Sequence, residues 1–368
     1  MIKKLLAING MAILGAVLYH AAGWGFISMF WWTDRYRLVQ VPNFDQLGSF
    51  SYYGLRFVEQ IIIFAIPVFL FVSGYFITFA TGKESAPKWS WIFTRIKFLA
   101  IPYLLWSLLM VLMNILFGQN YQILELLTIF LTGKAVAAFY FIPLLVQLYL
   151  LAPFLTRASR KKPLLLLFLS FLLMLFIRMG QYASILGLVY PGSEIVNLLL
   201  PSWFFPGNLF WLVLGISIGF YYKNIAGFLT KRRWVFLALT IVLIPIGMWE
   251  WESLLAASGQ DWIASRETFI DNIYSILLIL SFIGFNMNTI SRQKWLNVLG
   301  SKSFGIYLTH TLFITVTAKV IYQIAPFIFQ YQIVFQPILV AAAILGPLIL
   351  MEIVKRTALN RFYVYIFG

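Results

Sequence analysis

Apolar residues in this chain come in long runs of about 17–25, the length that crosses a hydrocarbon core about 30 Å thick. Charged residues gather in the gaps between the runs. Of 368 residues, 62% are apolar and 11% charged, and the mean hydropathy is +0.89. A water-soluble domain does not have that balance. A membrane barrel would alternate polar and apolar residues over about ten positions, and these runs do not alternate. Spanning backbone must satisfy its own hydrogen bonds in lipid, which leaves the helix. The expected fold is therefore an all-α, polytopic membrane bundle, with residues 1–368 forming one domain.

Ten spans are expected, at 5–31, 56–80, 98–117, 137–156, 163–179, 205–223, 234–252, 270–288, 303–324 and 333–354. Alternate connections are basic. They hold 20 of the 27 Lys and Arg, among them Lys3, Lys4, Arg95, Lys97, Arg160, Arg233, Arg292 and Lys302. Of the 12 acidic residues, only Glu84 and Glu352 lie on that side. This asymmetry places both termini in the cytoplasm, in a multi-pass protein of the inner (plasma) membrane. The net charge of +15 belongs to topology, so no nucleic-acid partner is implied; the lipid bilayer is the first partner. The opening MIKKLLAING resembles a signal peptide, but the apolar run is too long and no small-residue cleavage site ends it, so a retained helix is expected. The stretch 121–134 is too short to span and is expected to lie at the outer interface or to re-enter.

The chain has no cysteine and two histidines. Disulfides and thiolate chemistry are excluded, and no second histidine or carboxylate sits one turn from either histidine to build a metal site. Both His20 and His310 fall inside spans, where an ionisable group is costly and by default marks a working cavity. A structural hydrogen bond to a neighbouring helix is the simpler alternative. Asn9 and His20 are eleven positions apart, which returns them to nearly the same helix face, roughly 16 Å apart along the axis. A ligand with a charged head and a long thin arm suits such a face, and acyl-coenzyme A has that shape. His310 lies only about 10–12 Å in from the start of its span, so the two histidines are expected at different depths. His310 then suits a structural or substrate-shaping hydrogen bond. Glu59 either orients His20 or pairs with Arg56 at i−3; its place near the outer end of its span favours the pairing. Arg95 and Lys97 either bind donor phosphates or are ordinary cytoplasmic charges.

Several stretches together resemble the membrane-bound acyltransferase-3 family. They are Leu6 to His20 (LAINGMAILGAVLYH), Val68 to Ile77 (VFLFVSGYFI), Ile101 to Ser107 (IPYLLWS), Gln147 to Pro153 (QLYLLAP) and Ser303 to His310 (SFGIYLTH). Each is weak alone; their order and spacing across ten spans make the set specific. The resemblance implies an O-acyltransferase that moves an acyl group, often acetyl, from cytoplasmic acyl-coenzyme A to a hydroxyl of a glycan or lipid-linked saccharide of the cell envelope. It assigns His20 as general base or transient acyl carrier. Asn9, Arg95 and Lys97 then fall on the donor side. Glu59, Ser73, Tyr149, Ser303 and His310 are candidates for the substrate side. Two departures stand out. The family usually has arginine eleven residues before the histidine, where this chain has Asn9. It usually has a second arginine three residues after Arg95, where this chain has Phe98. Asn supplies no charge and Phe neither charge nor donor. A transporter, or a non-catalytic descendant that binds a lipid, glycan or membrane protein, is the rival reading.

Overall fold

Helices, with no strand among the described residues, make up most of the computed structural model, which describes residues 1–116, 118–263, 267–285 and 293–368. The elements in chain order are α1 (Ile2–Phe30), α2 (Phe50–Ile62), α3 (Ala65–Thr81), α4 (Trp89–Leu116), α5 (Ile123–Thr132), α6 (Phe141–Lys161) and α7 (Pro163–Ile185). They continue with α8 (Ser193–Leu199), α9 (Leu209–Ser258), α10 (Phe269–Gly284), α11 (Gln293–Ser301), α12 (Ser303–Ile324), α13 (Gln332–Arg356) and α14 (Tyr363–Phe367). Among the described residues, eight helical segments are long and apolar enough to cross a membrane. The expected Arg292, and the end of the expected eighth span at 286–288, lie outside the described residues.

Ten crossings emerge once α9 is resolved into two arms. All fifty of its residues are helical, yet its contacts show that it doubles back. Gly215 meets Phe71, and Gly219 meets Thr78, so the first arm runs alongside α3 in the same direction. Further on, Gly247 meets Gln60, Arg56 lies over Trp251, and Tyr52 bonds Glu252. Those partners ascend α2 toward its outer start. A straight rod would carry Glu252 about 50 Å past Gly219 at 1.5 Å per residue, away from Tyr52 rather than to it. The tenth crossing is α10, shorter than the rest at 16 residues.

Contacts between connections sort the two ends as the charge pattern does. At the cytoplasmic end Arg160 bonds the Gly82 carbonyl (2.6 Å), Tyr221 the Arg160 carbonyl (3.0 Å) and Lys4 the Ile283 carbonyl (2.5 Å). At the outer end Arg35 bonds Gln323 (2.8 Å) and Gln330 the Tyr36 carbonyl (3.4 Å).

Two irregular places shape the interior. The second span breaks between α2 and α3, four residues before Pro67, whose ring has no N–H and crowds the carbonyl four back. Just before the break, the Ile61 carbonyl accepts from the Tyr274 hydroxyl at 2.8 Å. The 121–134 stretch resolves into α5, and the chain after it re-enters. Gly133 has φ +76°, and a β-carbon there would lie 2.5 Å from the Phe139 and Tyr140 backbone. Only glycine permits that turn. It folds residues 134–140 into the bundle until the Ala138 carbonyl accepts from Tyr307 of α12. Non-helical backbone is tolerated at membrane depth where protein or a cavity surrounds it.

Candidate functional site

The imidazole rings of His20 and His310 lie 5.2 Å apart, tilted by 51°. This overturns the expectation of different depths. The reason is α11, which crosses α1 so closely that a β-carbon on Gly10 would fall 2.1 Å from the Leu296 carbonyl oxygen. The crossing seats the start of α12 at the level of Asn9, several residues inside the cytoplasmic end of α1. His310 is buried completely. Its Nδ1 lies 2.7 Å from the Tyr307 carbonyl and 3.1 Å from that of Ile306. A carbonyl only accepts, so Nδ1 carries the proton and Nε2 keeps its lone pair. That Nε2 has no hydrogen-bond partner within the described residues.

A cavity of about 450 Å³ runs from His20 to Trp31 and Trp262 of the outer connections. Glu59 and Arg56 line it with Trp24, Trp251 and Thr311. Glu59 does pair with Arg56, as its spacing suggests, but its expected distance from His20 does not hold. α2 begins at Phe50 because the Ser49 hydroxyl caps it, accepting from the Tyr52 N–H at 3.2 Å. Glu59 is therefore about 14 Å into the helix at 1.5 Å per residue. There it shares a cavity wall with His20. The Arg56 guanidinium also stacks on Trp251, 3.6 Å from the ring centroid. Both charges are buried, 6% and 8% exposed, so each relies on the other against desolvation. Next to them Gln60 donates to Asp271 at 2.7 Å. Asp271, Tyr307 and Trp251 escaped the sequence reading as site residues. Asp271 carried a usable signal, being an ionisable residue within an expected span.

The remaining candidates form two groups nearer the cytoplasm. Asn9 donates to Ser303 Oγ (2.6 Å) and to the Gly300 carbonyl (3.2 Å), tying α1 to the start of α12. Ser73, Tyr149 and Arg95 form the other. Tyr149 packs on Trp91, ring centroids 5.9 Å apart, and the Arg95 guanidinium lies over the same Trp91 ring at 5.4 Å. Arg95 and Lys97 are exposed. No cluster of three potential metal ligands exists among the described residues.

A family profile described as an acyltransferase domain, acyltransferase-3, matches residues 5–352. The chain belongs to the acyltransferase-3 family. Curated relatives are distant. Two are called "Probable poly-beta-1,6-N-acetyl-D-glucosamine export protein". The one from Staphylococcus aureus (strain Mu50 / ATCC 700699) is 23% identical over 265 residues, 70% of each chain. The one from Staphylococcus epidermidis is 23% identical over 277 residues, 73% of each chain. No solved structure matches the chain significantly. As an acyltransferase-3 protein, this chain handles its two departures structurally. Asn9 bonds the α11–α12 junction instead of presenting a cation. Phe98 packs on Tyr365, ring centroids 5.9 Å apart. Tyr365 belongs to α14, which folds back under α4 and α12: Trp106 donates to the Ile366 carbonyl at 2.8 Å, and Phe367 is 2% exposed.

Proposed function

We propose that this chain is an O-acyltransferase of the plasma membrane. It takes an acyl group, most simply acetyl, from cytoplasmic acyl-coenzyme A and places it on a hydroxyl of a glycan or lipid-linked saccharide at the outer face. The observation that carries this reading is the histidine pair at the inner end of a cavity reaching the outer connections. His20 takes the proton of the acceptor hydroxyl as general base. The acceptor oxygen then bonds to the acyl carbon, the carbon–sulfur bond breaks, and the proton held on His20 passes to the departing thiolate. Glu59, on the same wall, offers carboxylate oxygens to the acceptor hydroxyls, its charge offset by Arg56. The lone pair of His310 Nε2 is placed to orient His20 or the acceptor.

On the donor side, Arg95 and Lys97 are exposed cations suited to phosphates, and Tyr149 packs behind Arg95 through Trp91. The distant relatives named for poly-β-1,6-N-acetylglucosamine suggest an N-acetylglucosamine-containing acceptor. The test is transfer of radiolabelled acetyl from acetyl-coenzyme A to N-acetylglucosamine oligosaccharides by protein in nanodiscs, with calorimetric titration of coenzyme A alongside. A second reading, a non-catalytic or transporting member of the family, is favoured by Asn9 and Phe98. Both stand where the family has arginines, and both are engaged in packing. Absence of coenzyme A binding to wild type and to Asn9→Arg would select that reading.

A further inference from the structure

A larger cavity, about 790 Å³, adjoins the one that holds His20. Both volumes lie within the usual range for enclosing small ligands, about 300–1,000 Å³. Val136 and Ala137 of the re-entrant segment line both cavities. A narrow gap of about 50 Å³ is bordered by His20 on one side and by Tyr140 and Glu267 of the larger cavity on the other. The two spaces thus lie on either side of a thin wall of small residues, with His20 at the join.

The lining of the larger cavity is built for something polar. Arg178 pairs with Glu267 and donates to Gln181 Oε1 at 2.8 Å. Asn208, 7% exposed, borders the cavity, and its Oδ1 has no partner among the described residues; neither has Arg178 Nε. Buried polar atoms are rarely left so. Trp203 and Tyr140 add aromatic surface. Trp203 is held in place through its own backbone: Gln147 of α6 donates to its carbonyl at 2.8 Å. A lipid tail would leave this polar set unsatisfied. The Arg178–Glu267 pair is internally neutral, and Lys134, exposed at the edge of the cavity, adds one cation to its lining. What fits is a ring with an apolar face for the tryptophan and hydroxyl or amide groups for the planar side chains.

We propose that this second cavity binds the saccharide units that flank the acceptor sugar, so that the protein recognises an oligosaccharide rather than a free monosaccharide. The inference rests on the reading that the acceptor is a saccharide. One unit sits beside His20, and its neighbours extend past Tyr140 toward Trp203 and Asn208.

The test is calorimetric titration of the full chain in nanodiscs with N-acetylglucosamine and its β-linked oligomers. Affinity should rise about tenfold from the monosaccharide to the trimer, a gain of about 1.4 kcal/mol. Trp203→Ala should remove that gain while leaving monosaccharide binding unchanged, which also shows that the variant folds. Trp203→Phe should keep part of it, and His20→Ala all of it. Asn208→Ala should reduce the gain independently. Equal affinity for all chain lengths in the wild type would overturn the proposal. So would a full gain in both Trp203→Ala and Asn208→Ala, or no binding of any oligomer. Length-dependent binding with no acyl transfer to the bound oligomer would reject the transferase reading and leave this site standing. Transfer to sugars of every length at equal affinity would do the reverse.

Discussion

Around His20 the outer half of the bundle buries carboxylates, each held by a partner side chain, whereas the cytoplasmic half is closed by backbone contact, aromatic packing and neutral hydrogen bonds such as Asn9–Ser303. Outside lie Arg56 with Glu59, Arg178 with Glu267, Gln60 with Asp271, and Tyr182 with Glu250 at 2.6 Å. Inside lie the α1–α11 crossing at Gly10 and Gly300, and α14 tucked against Phe98 and Trp106. Buried ion pairs are weak contributors to stability, because desolvation offsets most of their attraction. The two ion pairs of the outer half, Arg56–Glu59 and Arg178–Glu267, each border a cavity, so they shape those spaces rather than hold the fold. On the proposed function, the contrast makes the acceptor side preformed, while Arg95 and Lys97, offered to the donor, stay at the surface.

The sharpest way to break that contrast is His20→Ala. Loss of a general base should lower the transfer rate by about 10²–10⁴ with unchanged protein in the membrane, measured by acetyl incorporation. Normal transfer would mean that the preformed half is not the reacting one.

Next in size is Arg56→Ala, which strips Glu59 of its cation in a buried setting. Breaking such a pair costs about 3–5 kcal/mol, visible as a large drop in the thermal midpoint of purified protein. A cytoplasmic control, Arg361→Ala, should stay within about 0.5 kcal/mol of wild type. Equal effects would erase the distinction between the halves.

A smaller effect is expected for the double variant Arg95→Ala, Lys97→Ala. Exposed charges contribute modestly, so coenzyme A binding should weaken about tenfold at most. The wild-type affinity should fall with added salt as screening grows. Salt-independent binding would place the donor elsewhere.

The smallest effect is that of Asn9→Ala, which removes two hydrogen bonds at the start of α12. A stability loss of about 1 kcal/mol is expected, with coenzyme A affinity unchanged if Asn9 serves packing alone. A selective fall in affinity would return Asn9 to the donor site.

The spans were legible because lipid imposes length and apolarity on each of them, and the basic connections ordered them. The Arg56–Glu59 pairing was legible from its i, i+3 spacing. What escaped was depth. A nine-residue helix, α11, resets where α12 begins, and nothing local to His310 reports it. Glu59 was misplaced for a similar reason: Phe50 to Tyr53 looks like a connection, until the Ser49 cap adds two turns below it. The cavity walls at Val136 to Tyr140 come from a glycine turn whose necessity shows only when Phe139 and Tyr140 fold against it. These are consequences of how separate helices meet, and periodicity within one helix does not encode them.

The interruption between α2 and α3 has a mechanical consequence. No continuous ladder of backbone hydrogen bonds crosses it, and breaks of this kind act as hinges. Below it, α3 is locked to the first arm of α9 through Gly74 and Gly215, where helices touch backbone to backbone. Above it, α2 travels with the second arm, joined by Tyr52–Glu252 and by Arg56 on Trp251. The outer and inner levers are thus joined through Ile63 and Phe64. On the proposed function, such a joint lets the acceptor end flex without disturbing the donor end.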